Sequence, residues 1–327
     1  MARLSSISFF GIRNLKHQSV DVESDVVVIT GDNRQGKTNF LEAAYFGLSG
    51  RSFRTSRLKE IITYGKNAGW VEVELSDGTF LKSVLSVQEE EKTSVSFFIN
   101  DRKVPLRENP YRMRVFPVLG SDIVELHRKS ILTKKVLQFA LRFDEKLREF
   151  YSTYASLRRK RRKILRDGGD RSLLVVIDSK ISKVVIPLNN HLKRLALKLN
   201  KLLTNRVIRI IPGVESVISY ISFDEPVRIG YFRWDIDRSL LTLGTKMLLL
   251  MYLLEGLVDI YQARDRMYIF WDDVGFELDK LTLRMLIQRL ALRFQIFWAI
   301  PWLPEDVLPT TAESKVFKIH DGELVVL

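Results

Sequence analysis

Residues 31–38 read Gly-Asp-Asn-Arg-Gln-Gly-Lys-Thr and match the spacing G-x-x-x-x-G-K-[ST] in full. These residue types suit a nucleoside phosphate. Gly31 and Gly36 permit backbone conformations that bring N–H groups close to phosphate oxygens, with Asp32, Asn33, Arg34 and Gln35 forming the loop between them. A helix beginning here, with Asn39 in its first turn, adds its positive N-terminal end. Lys37 is expected to reach the β- and γ-phosphates and the Thr38 hydroxyl to hold Mg²⁺. Such a site needs a carboxylate from another strand, and "MYIFWDD" (267–273) offers two. Asp272 is the expected metal ligand, and Asp273 would orient or deprotonate the attacking water, with Lys37 as its catalytic companion. A chance Gly-Lys-Thr turn and a solvated Asp pair are the plain alternatives, and each loses force when both features occur in one chain. The arrangement requires Lys37 and Thr38 to meet Asp272 across neighbouring strand ends and share one magnesium ion.

The elements that must position these residues can be read from periodicity. "DVVVIT" before the loop is strand-like, and "NFLEAAYF" after it places apolar residues at helical spacing. "WVEVELSDGTFLKSVLSV" alternates by twos around Asp77-Gly78, and "VSFFINDRKVPL" reads as a hairpin turning at Asn100-Asp101. From residue 122 the period becomes helical, with a turn at Asp167-Gly168-Gly169-Asp170, which predicts an antiparallel helical pair ending near Thr204. Strand-like text returns with "RVIRIIPGVESVISYISFD", followed by helices over 245–262 and 280–293 and a terminal hairpin at Asp321-Gly322. The expectation is an α/β domain formed by 1–121 and 205–327, interrupted by a helical lobe over 122–204.

With 52 Lys and Arg against 39 Asp and Glu, the formal charge of +13 favours a polyanionic partner, nucleic acid or an acidic membrane surface, over a neutral one. The absence of cysteine excludes disulfides and thiolate metal sites, and fits a reducing cytoplasm. Histidines 17, 127, 191 and 320 lack ligand spacing. The most apolar run, residues 247–258, is too short to span a bilayer and contains Glu255, so a cytoplasmic location is expected.

Three stretches, "FFGIRNL" (9–15), "GDNRQGKTNFLEAAYFGLSGRSFRTSR" (31–57) and "WDDVGFELD" (271–279), together with the long helical gap between Lys37 and Asp272, resemble the RecF family within the SMC/Rad50-like branch of ABC ATPases. The resemblance implies an ABC-type ATPase head built from both ends of the chain with a helical lobe and no long coiled coil. It implies ATP and Mg²⁺ as cofactors, ATP-dependent homodimers, DNA binding, and recombinase loading at single-strand gaps with RecR and RecO. By position, residues 31–38 become the Walker A loop, Asp272 and Asp273 the Walker B pair, and Asp279 the start of the D-loop. Ser52, Phe53 and Arg54 would lie near the nucleotide, Arg54 pairing with phosphate or standing as a surface charge. The ABC signature is represented by "LLTLGTKMLLL", with Thr242 for Ser, Gly244 retained and Thr245 for Gln. "WAIPW" (298–302) stands where a polar switch residue would follow the last strand, and Arg34 replaces a frequent loop glycine.

Arg158, Arg159, Lys160, Arg161, Arg162 and Lys163 form an unbroken basic run within a long helix. They would neutralise DNA phosphates without reading sequence, as at a gap or junction, the alternative being a solvated helix end. Two functions follow: a slow, ATP-dependent DNA clamp of recombinational repair, or a degenerate nucleotide-gated DNA-binding scaffold that does not hydrolyse.

Overall fold

The apolar run Val26–Thr30 forms strand β3, and its first four side chains are fully buried because it sits inside a mostly parallel sheet covered on both faces. In the computed structural model, which describes residues 2–87, 93–225 and 227–327, the chain divides into two units, 1–120 with 264–327, and 121–263.

The first unit carries two six-stranded sheets. One is antiparallel, built from β1 (Leu4–Phe10), β2 (Gln18–Asp21), β4 (Ala68–Leu75), β5 (Phe80–Val87), β6 (Thr93–Ile99) and β7 (Arg102–Val104), in the order β2-β1-β4-β5-β6-β7. Its hairpins turn where Asp77-Gly78 and Asn100-Asp101 predict, and Asn100 and Asp101 both take positive φ. The other sheet adds β8 (Val115–Leu119), β11 (Met267–Asp272), β12 (Phe294–Ala299), β13 (Ser314–His320) and β14 (Glu323–Val326) to β3, in the order β14-β13-β3-β12-β11-β8. All its neighbours are parallel except β13 and β14.

Helix α1 (Lys37–Ser49) packs against strands of both sheets, which explains why it is buried nearly all round. Phe40, Phe46 and Leu48 join Val71, Val73, Phe270 and Phe297 in one core. Helix α7 (Lys280–Ala291) follows β11 and packs against β12.

The second unit holds α2 (Gly120–Glu125, whose first residue belongs to the first unit), α3 (Lys129–Phe143), α4 (Glu145–Arg166), α5 (Arg171–Val207) and α6 (Leu243–Ile260). Strands β9 (Ile218–Ile221) and β10 (Tyr231–Trp234) pair with each other there. Asp144 and Asp170 cap α4 and α5, accepting N–H bonds from Leu147 and Ser172. Two expectations need correction. The strand-like text from Arg206 stays helical to Val207 and then turns, so only 218–221 is strand. Residues 205–263 cluster with the helices, not with the phosphate-loop unit, because β9 packs on α5 and Asn200 Oδ1 accepts the N–H groups of Val217 and Ile218.

Candidate functional site

The turn between β3 and α1 adopts a shape that its residues dictate. Gly31 and Gly36 have φ of +140° and +122°, and a Cβ on Gly31 would lie 2.5 Å from the Ile319 carbonyl. Arg34, the departure from a loop glycine, is itself held at φ +69°, a strained conformation for its type. Gly36 caps α1 without a side chain, and no acid occupies the helix's first turn. The first N–H groups thus have no side-chain cap, an arrangement that suits an anion.

Lys37 is 7% exposed, and its Nζ donates to the carbonyls of Gly31 and Asp32 at 2.8 and 2.9 Å. The ammonium is therefore folded over the loop mouth with one donor in reserve. The Thr38 hydroxyl donates to Asp272 Oδ1 at 2.7 Å, although the two residues are 234 positions apart. The strands are not neighbours, as sequence reading expected: β12 lies between β3 and β11. Side chains at the strand ends reach past it, and its own end joins in, Ala299 accepting from the Asp273 N–H and Pro301 from the Gly31 N–H.

Asp272 sits at the end of β11, and its carboxyl is raised above the ordinary value, chiefly by burial. The Thr38 hydroxyl lowers it, the Asp273 charge raises it, and the positive charges of Arg54 and Lys37 lower it further. Asp273 is exposed and takes φ +52°, which turns the chain out of the strand. Trp298 Nε1 pins the following carbonyl of Val274 at 2.8 Å. These residues fit a magnesium–nucleotide: a helix start without a side-chain cap, a lysine, and a hydroxyl beside a carboxylate that burial holds above its ordinary value.

Arg54 reaches this end of α1, donating through Nη1 to Asn39 Oδ1 at 2.7 Å and to Glu42 at 3.4 Å. Phe53 packs edge-on against Tyr45 of α1, and Ser52 donates to Glu42. Periodicity missed what braces the loop from outside. Asn14 bridges the Gln35 carbonyl and Asn39, and the terminal hairpin donates the Asp321 and Gly322 N–H groups to Gln35. Arg13 holds Glu42 with two bonds, of 2.9 and 3.2 Å. The available signal was Glu42 itself, a lone carboxylate inside an apolar helix.

The other expected site residues fall elsewhere. Asp279 caps α7, accepting from the Thr282 N–H and hydroxyl, and the Thr282 bonds hold its carboxyl below the ordinary value. At the two ends of the WAIPW stretch, Trp302 is 60% exposed and lies against Phe276, whereas Trp298 is core. In the second unit, Thr242 caps α6, accepting the Thr245 N–H at 3.2 Å, and Gly244 is buried in the first turn. Of the basic run on α4, Arg161 is engaged by Asp178 of α5 through bonds of 2.6 and 3.2 Å, and Arg158 lies over the Tyr154 ring. Arg159, Lys160, Arg162 and Lys163 remain exposed.

A mostly parallel sheet with a glycine loop on one strand, a carboxylate at the end of another that accepts from the loop threonine, and a helical segment inserted between them defines an ABC-type ATPase head of the SMC/Rad50 kind. The chain belongs to the RecF/RecN/SMC N terminal domain family, whose model matches residues 3–300. It is 42% identical over 73 residues to the DNA replication and repair protein RecF of Desulforudis audaxviator (strain MP104C), spanning 22% of this chain and 20% of that protein. It is 29% identical over 202 residues to RecF of Clostridium kluyveri, spanning 59% and 55%. The matches therefore cover between a fifth and about half the length of these relatives. A solved structure of the recombination mediator protein RecF-ATP in the RecFOR pathway gives a TM-score of 0.79 at 20% identity, covering 100% of this chain and 98% of that one. A Smc head bound to the C-winged helix domain of ScpA gives 0.59 at 15%, covering 99% and 97%. At these identities the structural likeness concerns the fold.

Among the described residues, no helix is long and apolar enough to cross a membrane.

Proposed function

We propose that this chain is an ATP-dependent DNA-binding protein of recombinational repair, RecF-like, whose heads close on one another around ATP and open after slow hydrolysis. The observation that carries the proposal is the 2.7 Å bond from Thr38 to Asp272 at the mouth of the glycine loop. Magnesium, when bound, supplies positive charge against the phosphates. Thr38 and Asp272, already joined by the hydroxyl bond, would hold it, Asp272 directly or through water. Lys37 exchanges the carbonyls of Gly31 and Asp32 for phosphate oxygens, and the N–H groups of residues 32–39 complete the cradle. Asp273, exposed at the strand end, orients the attacking water. Thr242 and the Gly244 turn would meet the γ-phosphate held by a second copy, with the Thr hydroxyl as donor.

DNA would be gripped through phosphates by Arg159, Lys160, Arg162 and Lys163, with Arg158 and Arg161 committed in part to Tyr154 and Asp178. By the resemblance to RecF, the partners would be RecR and RecO, and the substrate gapped DNA in the cytoplasm. The scaffold alternative draws on Pro301, which offers no side-chain donor where a switch residue would stand, and on Thr245 in the signature.

The test is ATP binding by calorimetry together with sizing in ATP-Mg²⁺, in ADP and without nucleotide. Lys37→Ala is expected to lower ATP affinity at least about 100-fold, since it removes a charge-assisted contact to two phosphates. Wild-type protein that ignores ATP would refute the proposal, and ATP binding without phosphate release would select the scaffold. Charge reversal at Arg159, Lys160, Arg162 and Lys163 should weaken DNA binding and flatten its salt dependence by about 0.7 to 0.9 in log–log slope per lost phosphate contact. An unchanged slope in filter binding would remove α4 from the DNA site.

A further inference from the structure

Glu42 is an expensive residue for its position. It lies four residues after Thr38 on α1, its side chain is 0% exposed, and its neighbours Leu41, Ala43 and Phe46 are buried apolar groups. An uncompensated carboxylate there would be strongly destabilising, and apolar side chains of similar volume commonly replace even paired ones at no loss. The surroundings of Glu42 indicate what it is kept for. Arg13 binds it through Nε and Nη2, Ser52 donates its hydroxyl, and Arg54 donates through Nη1. Two arginines on one carboxylate leave one positive charge in excess.

That excess is directed. Ser52 Oγ, while donating to Glu42, accepts the N–H groups of Arg54 and Thr55 at 2.9 and 3.0 Å, so the strap after α1 is folded around a hydroxyl hung on Glu42. Arg54 is thereby brought to Asn39, the residue after Thr38, at 2.7 Å. Its described bonds use Nη1 alone and its side chain is 40% exposed, so the Nη2 and Nε donors can serve a ligand. The charge of Arg54 is also felt at Asp272, after the larger effects of burial, the Thr38 hydroxyl and Asp273. Arg54 therefore acts on the metal end of the site, whereas Arg13 is the inner counter-ion.

We infer that Glu42 is a positioning residue, which holds the Arg54 guanidinium beside Thr38 so that its remaining donors meet the phosphates of a nucleotide in the loop. This rests on the nucleotide reading above. Glu42 touches neither phosphate nor metal. It acts through Arg54, and its loss matters to the nucleotide only while Arg54 is present.

That conditional effect supplies the test. ATP-Mg²⁺ affinity is measured by calorimetry on the full chain for wild type, Glu42→Gln, Arg54→Ala and the double variant, with thermal melting of each protein without nucleotide. Arg54→Ala should weaken ATP about 10- to 100-fold, the range for a charge-assisted contact. Glu42→Gln should weaken it several-fold, and the double variant should bind no more weakly than Arg54→Ala alone. Losses that multiply in the double variant would overturn the assignment, as would Glu42→Gln affinity equal to wild type, because a purely structural carboxylate would move melting without coupling to Arg54. Should Glu42→Gln not fold, Ser52→Ala runs the same cycle: a loss of affinity that disappears in the Arg54→Ala background supports the inference, and one that persists overturns it. Wild type that fails to bind ATP removes the nucleotide reading and this inference together. Wild type that binds, with an additive cycle, removes only the role of Glu42.

Discussion

Asp272 of the phosphate-loop unit and Asp144 of the helical unit are both half-buried, and burial pushes both carboxyls upward. They end on opposite sides of the ordinary value. Asp144 is lowered overall because the Leu147 N–H, the Tyr261 hydroxyl and the His191 ring all bond to it, the last two at 2.8 and 2.6 Å. Among the described residues Asp272 has one hydrogen-bond donor, Thr38, and a second carboxylate beside it, and it remains raised. The fold completes the coordination of one carboxylate and leaves the other short of positive charge. A carboxylate bonded on every side by its own helices is architecture; one that keeps a raised carboxyl at a strand end beside a lysine-bearing loop has the character of a functional group.

Substitutions should separate the two. The largest effect is expected at Asp144→Ala, which removes the α4 cap and leaves the half-buried Tyr261 and His191 groups without an acceptor. The expected cost is about 3 kcal/mol in urea unfolding, about 1 from the cap and about 2 from the orphaned groups. A loss under about 1 kcal/mol would break the comparison. Asp272→Asn should do the reverse, raising the stability of the nucleotide-free protein by up to about 1 kcal/mol, the pattern of a residue kept for function against stability. Destabilisation there would mean that Asp272 is structural too.

Acid sharpens the contrast through linkage. The folded Asp144 carboxyl lies below its unfolded value, so its contribution is fully present above about pH 4 and is lost as pH falls through the folded value. The folded Asp272 carboxyl lies above its unfolded value, so its penalty is absent below about pH 4 and grows as pH rises through the folded value. Both stability differences from wild type should therefore shrink on acidification, one as a vanishing deficit and the other as a vanishing gain. The smallest expected change is in ATP affinity for Asp273→Asn, within about threefold of wild type, since an exposed carboxylate that acts on water contributes little to ground-state binding. Phosphate release should nonetheless fall to background, and release at the wild-type rate would exclude Asp273 as the water-orienting group.

The loop was legible in the sequence because its chemistry is backbone chemistry: Gly31, Gly36, Lys37 and Thr38 are fixed by local geometry. Asp272 was legible because an apolar run ends there, and the hairpins because turn residues mark them. What escaped was non-local. The place of β12 between β3 and β11 is a matter of strand order, which no stretch of either strand encodes. The pairing of Arg161 with Asp178 appears only once α4 and α5 fold back on each other. Residues 205–263 read as a return to the first unit because β9 and β10 look like any strands, and it is contacts with α3 and α5, Asn200 and Thr133 among them, that claim them for the second. Glu42 was visible as an anomaly, but its partners Arg13 and Arg54 come from segments before and after the loop helix.

The central claim is that Thr38 and Asp272 share one magnesium ion with a bound nucleotide. Its most direct test is the ratio of ATP affinities with Mg²⁺ and with a chelator, measured for wild type, Thr38→Val and Asp272→Asn. The account predicts that Mg²⁺ tightens wild-type binding by more than about tenfold, one charge-assisted contact's worth, and that the ratio falls to near one in both variants. A wild-type ratio of one, or a ratio that survives either substitution, would contradict it.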